Sequence, residues 1–383
     1  MKNVLIVATT SYAGMGPYVS EIINTFTIND GIFFLLRDYE DDFFLKNIKK
    51  ELHPLCYFYK QANSKWNKIK TLFAEDKHFK QILSSLCCQH NIGVAHFICD
   101  PAPIDAAKLI ERRGISIIGT VHDLHPHEAK KIFYKMLRHR ILDKKRWQNT
   151  NYGKILITNS MTQFKELTHL FPEKKIYYHA FPSLVTKEII DGSDIPDELS
   201  NITKPYILFF GRIEEYKGLS LLYEGYISNS KISDSYNLVI AGKGALNIEG
   251  INNTKGVILI NRYVKDSEVK FLYKNASCIV YPYLSATQSG VLSLAFYFGK
   301  PTLASDISFF YDTIAPYGVG MLFKTGSSKD LSEKLLKLLS TDTEKMGEKA
   351  QNIYSALYDT LSIREKLLEI YKISCDNYNE RCS

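Results

Sequence analysis

The feature that most constrains how this chain can fold is a recurring alternation: a short run of consecutive apolar residues, a break at small or polar residues, then an apolar stripe at helical spacing. Runs that are apolar at every position suit strands buried on both faces, and their alternation with helices builds parallel sheets. Such runs stand at 4–8, 31–36, 56–59, 94–98, 115–120, 155–158 and 176–179, with helices expected around 17–26, 46–52, 66–86 and 104–112. The series restarts at 206–210, 238–241, 257–260, 278–281, 302–304 and 321–323, and ends in helices at 329–339 and 344–371. Between the two series, 186–204 carries Asp191-Gly192-Ser193-Asp194-Ile195-Pro196-Asp197 without apolar periodicity, which marks a linker. The expectation is α/β: two Rossmann-like, doubly wound domains, 1–185 and 205–352, whose strand-end edges face each other across a cleft.

A length of 383 residues exceeds one ordinary core, and 45% apolar with 23% charged residues marks a globular chain. Cys56, Cys87, Cys88, Cys99, Cys278, Cys375 and Cys382 are odd in number and lack C-x-x-C spacing, so neither a disulfide framework nor a zinc site is expected, and a reducing cytoplasm is. The run at 4–8 is too short for a secretory signal, and nothing approaches the ~20 apolar residues of a membrane span. Before residue 191 Lys and Arg outnumber Asp and Glu 27 to 18; after it they fall short, 21 to 23. The excess peaks at Lys130, Lys131, Lys135, Arg138, Arg140, Lys144, Lys145 and Arg146, opposed by Asp143 alone and interleaved with Ile132, Phe133, Leu137, Ile141 and Leu142. Two readings fit: a solvated helix face on its own domain, or a basic helix on an anionic membrane surface. Nucleic acid is not expected, because the second half is slightly acidic and no nucleic-acid module pattern occurs.

Three stretches carry candidate chemistry. The first, Tyr206-Ile207-Leu208-Phe209-Phe210-Gly211-Arg212-Ile213-Glu214-Glu215-Tyr216-Lys217-Gly218, places Arg212 and Lys217 on a loop at the carboxyl end of a strand, where a phosphate or diphosphate suits two cations. The second, Ser285-Ala286-Thr287-Gln288-Ser289-Gly290-Val291, precedes an apolar helix and directs backbone N–H groups outward, an anion site unless it is a plain capped helix. The third is the opening loop with Gly14 and Gly16, which lacks the third glycine of a dinucleotide fingerprint and suits close approach of a polar ligand. His122 follows a strand and stands in His122-Asp123-Leu124-His125-Pro126-His127-Glu128. It reads as a residue lining the site, with a structural hydrogen-bonded histidine as alternative; the crowding of that loop argues against zinc. His96, Ser160 and His179 are further candidates of the same kind.

The order Phe210-Gly211-Arg212, Lys217-Gly218, Ala241-Gly242-Lys243-Gly244, Val264-Lys265-Asp266-Ser267-Glu268, Tyr281-Pro282 and Gly299-Lys300-Pro301-Thr302-Leu303-Ala304-Ser305-Asp306 resembles the nucleotide-sugar half of family four of the retaining glycosyltransferases, which have the GT-B fold, in a branch with a Thr-Gln-Ser-Gly loop. Val121-His122-Asp123, Thr158-Asn159-Ser160 and Tyr178-His179-Ala180 fit it by order and position. The resemblance implies that 353–383 forms a helix crossing back to the first domain. It also implies transfer of a sugar from a nucleoside-diphosphate donor to an acceptor hydroxyl with retention, without a metal or other cofactor. Arg212 and Lys217 would stabilise the leaving diphosphate, and the amides of Ser289, Gly290 and Val291 would hold its distal phosphate. Thr287 and Gln288 would touch the donor, Gly242, Gly244, Arg262 and Tyr263 would lie near the nucleoside, and His122 near the transferred sugar. Where the family carries two glutamates, this chain has Ala286 and Leu294, neither able to accept a side-chain hydrogen bond. The expected acceptor is a glycan or lipid-linked glycan of surface polysaccharide assembly, handled in the cytoplasm or on the inner membrane face. An inactive GT-B partner protein and a nucleotide-sugar epimerase are the alternatives.

Overall fold

The computed structural model describes residues 2–11, 14–37, 42–60, 77–124 and 133–382. The chain forms two compact units: Ser183–Asp359 is one, and the described chain before Ser183 together with Thr360–Ser383 is the other. All the expected strands are present, with ends displaced by at most two residues.

In the first unit β1 (Asn3–Ala8), β2 (Ile32–Arg37), β3 (Cys56–Tyr59), β4 (Ile92–Phe97), β5 (Ser116–Val121), β6 (Ile155–Thr158) and β7 (Lys175–Tyr178) form a parallel sheet in the order β3-β2-β1-β4-β5-β6-β7. Both faces are covered, which is why the runs are apolar at consecutive positions: Val4, Ile6 and Ala8 enter one core layer, Leu5 and Val7 the other. The C-terminal helix Thr360–Cys382 closes one face with Ile363, Leu367, Ile370 and Tyr371, spaced so that all lie on one stripe. Arg364 pins its start, its Nε donating to Asp30 Oδ2 at 3.1 Å. His96 interrupts the apolar face of β4 and is fully satisfied, with Nδ1 2.8 Å from the Tyr371 hydroxyl and Nε2 2.8 Å from Thr120 Oγ1. Burial drives its pKa down to about 3, so it stays neutral.

In the second unit β8 (Tyr206–Phe210), β9 (Asn237–Ala241), β10 (Val257–Ile260), β11 (Ala276–Tyr281), β12 (Thr302–Ser305) and β13 (Gly320–Phe323) form a parallel sheet ordered β10-β9-β8-β11-β12-β13. Each sheet reverses its strand order once: between β1 and β4, and between β8 and β11. The loops leaving adjacent strands diverge there and open a crevice at the carboxyl ends.

Three expectations change. The stretch 186–204, read as a linker, folds onto the second unit through the helix Lys187–Asp191. It is anchored by two isolated apolar residues, Ile189 and Leu199, buried in the core of that unit, and by polar bonds: Ser267 Oγ donates to Asp194 Oδ2 at 2.8 Å and Lys270 Nζ to the Ile190 carbonyl at 2.8 Å. The closing helix is broken: Glu344–Leu357 belongs to the second unit, and the chain restarts at Thr360 in the first. The earlier helix is held in the second unit ahead of the break, where Gly347 packs on the Gly299 backbone and Tyr354 binds Ser183 Oγ at 2.6 Å. The helix expected over 46–52 is a turn of helix, Phe43–Asn47, followed by a 3-10 segment, Lys50–Leu55, that contains Pro54. Of the helix expected over 66–86, residues 66–76 lie outside the described residues, and Lys77–Gln89 is helical.

Candidate functional site

The second unit gathers its candidate residues at the crevice between β8 and β11. β8 ends at Phe210, before Gly211, whose φ of 141° lies where only glycine is at ease, and this bend releases Arg212 toward solvent. Arg212 pairs with Glu214 at 2.7 Å, both side chains well exposed. A 3-10 turn, Glu215–Lys217, then leads to Gly218 in the left-handed region at φ 66°. A Cβ at Gly218 would strike the carbonyl oxygen of Pro282, so glycine is what lets this loop touch the loop after β11. The Leu284 amide donates to the Tyr216 carbonyl at 2.7 Å and ties the two loops together. Lys217 Nζ lies 3.6 Å from the centroid of the Tyr283 ring and 4.9 Å from that of Tyr216.

The 287–291 loop is held from below. Tyr281 donates its hydroxyl to the Val291 carbonyl at 2.9 Å, and the Tyr283 hydroxyl lies 3.4 Å from Ser289 Oγ. Among the described residues, no backbone carbonyl takes the amides of Ser289, Gly290 or Val291. The buried Oε1 of Gln288 likewise has no partner among them. Backbone donors and two cations thus lie on the two loops that leave one switch point and are tied to each other, an arrangement suited to an anion with several oxygens. The following helix, Leu292–Tyr297, is short, so the donors matter more than any macrodipole. Ala286 packs against the core and Leu294 is buried in that helix, so apolar contacts occupy both places where the resemblance would put glutamates.

Gly242 and Gly244 lie beside this crevice, at the end of β9. A Cβ on Gly242 would collide with the Gly211 carbonyl and one on Gly244 with that of Ile213. Their smallness is explained by this close pairing of the loops, which Ile213 N to Lys243 O at 3.1 Å continues. Arg262 and Tyr263 follow β10, farther along the edge. Arg262 is engaged by two carboxylates, Nε and Nη2 donating to Glu198 at 3.0 and 2.9 Å, and Nη1 and Nη2 to Glu268 at 2.7 Å each. The guanidinium holds both acids below the usual carboxylate range. Tyr263, in contrast, presents its ring to solvent.

In the first unit Gly14 and Gly16 open the helix Met15–Asn24 after β1. Gly14 faces open space, whereas a Cβ on Gly16 would meet the Phe43 ring and the Ser11 carbonyl. His122 follows β5 and is buried. Its Nε2 lies 2.8 Å from the Ile98 carbonyl and therefore carries the proton, leaving Nδ1 as a bare acceptor without a partner among the described residues. Burial lowers its pKa and keeps the ring neutral. Two residues that sequence reasoning missed fix this histidine. Tyr18 packs edge-on against the ring at 4.7 Å, and Gln163 donates Nε2 to the His122 carbonyl at 2.7 Å while accepting from the Leu124 amide at 2.7 Å. Asn159 Nδ2 contacts His179, whose pKa burial drives down to about 4, and Ser160 caps the next helix. His125, His127, Glu128 and the basic residues Lys130 and Lys131 lie outside the described residues.

Two parallel-sheet α/β units of seven and six strands constitute the fold of GT-B glycosyltransferase structures. Residues 192–355 match the family model described as glycosyl transferases group 1. No curated protein matches the chain. Among solved structures it is similar to Anabaena Alr3699/HepE in complex with UDP and glucose, at 13% identity and a TM-score of 0.69, covering 97% of this chain and 100% of that one. It is likewise similar to sucrose-phosphate synthase from Thermosynechococcus elongatus, at 14% identity and 0.68, covering 97% and 98%. A third likeness, to UDP-GlcNAc 2-epimerase from Methanocaldococcus jannaschii, has 13% identity and a TM-score of 0.55, covering 93% and 100%. At such identities the likeness concerns the fold alone.

Proposed function

We propose that the chain is a retaining glycosyltransferase that moves a sugar from a nucleoside-diphosphate donor to a hydroxyl of a glycan or lipid-linked glycan. The observation that carries this reading is that Arg212, Lys217 and the amides of 289–291, which no backbone carbonyl takes among the described residues, lie on the two loops of one switch point of the second sheet, within the stretch that matches the glycosyl transferases group 1 model. Cleavage of the bond between the anomeric carbon and the diphosphate leaves negative charge on the departing oxygens. Two cations and aligned N–H donors stabilise that charge more in the transition state than in the bound donor, without a metal. In the front-face course the leaving phosphate oxygen accepts the acceptor's proton, so no protein carboxylate has to act as nucleophile. His122, whose Nδ1 has no partner among the described residues, is suited to accept a hydrogen bond from a sugar hydroxyl.

The reading is supported by the complexes of similar structures: UDP-glucose with HepE, and UDP with α-GlcNAc-glycerol on Staphylococcus aureus TarM. The epimerase likeness supports a second reading, turnover of a nucleotide sugar without an acceptor. Incubation of the protein with UDP-, GDP- and ADP-sugars, with and without a lipid-linked glycan extract, separates the two. Release of the nucleoside diphosphate is expected only with acceptor, and NMR of the product is expected to show the donor's anomeric configuration. An epimerised nucleotide sugar formed without acceptor would replace the first reading with the second.

The acceptor's place at an anionic membrane face belongs to the same proposal. No described helix is long and apolar enough to cross a membrane. In the helix Phe133–Tyr152, however, Arg140, Lys144 and Trp147 recur at i, i+4 and i+7 and all stand exposed. Basic groups beside an aromatic ring suit the interface of anionic lipid.

A further inference from the structure

Resting on the reading of the β8–β11 crevice as a diphosphate site, we infer that Tyr283, helped by Tyr216, is a positioning residue that sets where the Lys217 ammonium stands. Its ring is fully buried in the second unit, and only its face is turned to the lysine. Four contacts fix it there. The ring packs against Tyr281 at 5.7 Å and Phe310 at 5.2 Å, its carbonyl accepts from Ser305 Oγ at 2.6 Å, and its hydroxyl lies 3.4 Å from Ser289 Oγ. A single residue thus touches both halves of the anion site, the cation with its ring and the amide loop with its hydroxyl.

The physical consequence concerns order. A lysine side chain carries four rotatable bonds, and an ammonium free to wander contributes less to a developing charge than one already in place. A ring face attracts the ammonium through its quadrupole while leaving the positive charge intact, so the site is organised before the ligand arrives. Gly218 makes this possible, because only a residue without a Cβ lets the Lys217 turn lie against Pro282, beside Tyr283. Tyr216 bounds the ammonium from its own turn, its ring 6.3 Å from that of Tyr283 and nearly perpendicular to it.

Two readouts test the assignment. In protein whose lysines are reductively methylated with carbon-13, the Lys217 resonance, identified by its loss in Lys217→Arg, is expected to be shifted upfield by the ring current. The shift is expected to persist in Tyr283→Phe and to collapse in Tyr283→Leu. Calorimetry with UDP, GDP and ADP then measures coupling. Tyr283→Leu is expected to weaken the tightest nucleoside diphosphate about tenfold, Tyr283→Phe to restore most of the loss, and Tyr283→Leu to have little further effect in a Lys217→Ala background. Should Tyr283→Leu melt the second unit, Tyr216→Leu, at a less buried ring, gives the same comparison at smaller amplitude. Additive losses in the double variant, or an unshifted Lys217 resonance, overturn the positioning role while wild-type binding leaves the diphosphate reading standing. A wild type that binds none of the three nucleotides overturns the reading, and the positioning role falls with it.

Discussion

At the scale of single residues the site depends on where side chains are missing as much as on where they are. Gly218 combines a left-handed backbone with a carbonyl in the space a Cβ would take, so Gly218→Ala is expected to cost about 2–4 kcal/mol in urea unfolding. It should also weaken nucleotide binding, because the Lys217 turn must retreat from Pro282. Stability and binding both unchanged would show that the two loops are not held together there. Arg212 and Lys217 were legible in the sequence, since a cation just beyond a buried strand has to emerge at the strand's end. The engagement of Arg262 was not, because Glu198 stands 64 residues away and no local pattern announces the pair. For Tyr283 the same limit applies: sequence shows an aromatic residue in a loop, and only the packing shows which cation lies over it.

At the scale of elements the Arg262 pair explains why 186–204 is part of the second unit. Glu198 lies in a 3-10 turn of that segment and Glu268 in the first turn of the helix Asp266–Asn275, so one guanidinium joins them. Composition marked the segment as irregular, but a single turn of helix and a 3-10 turn fixed by two buried apolar residues and side-chain bonds have no signature distinct from a linker. The sign of the pH effect follows from the carboxylates. Arg262 holds both below the ordinary value of 4.5, so their contribution is complete above that pH and is lost as pH falls through the lowered values. Thermal melts of the wild type are therefore expected to fall away below about pH 4.5, and those of Arg262→Met to fall less steeply there, from a lower starting point. Parallel acid limbs in the two proteins would contradict the clamp. The break between Leu357 and Thr360 was equally hidden, since helical stripes on both sides run in phase with a single long helix.

At the scale of the whole molecule two sheets of similar plan were readable because each strand, buried on both faces, had to be apolar throughout. The switch points were not directly readable, since strand order depends on which crossovers turn back; yet they decide which of the many strand-end loops form a site. The charge imbalance is also a property of the whole chain. Vesicles containing phosphatidylglycerol are expected to sediment the protein at low salt, and Arg140→Glu with Lys144→Glu to abolish this, each lost charge contributing about 1 kcal/mol. Equal sedimentation with neutral vesicles, or no effect of the substitutions, would leave the basic helix as a solvated face.

Whether the crevice between β8 and β11 holds the diphosphate of a nucleotide sugar is decided by calorimetric titration of UDP-, GDP- and ADP-sugars into wild type and Arg212→Ala. One nucleotide class is expected to bind the wild type and to raise its melting temperature with the logarithm of ligand excess, and Arg212→Ala to lose both effects while folding normally. Nucleotide binding that survives in Arg212→Ala at full strength, or a wild type that binds no nucleotide sugar, would contradict a diphosphate site there.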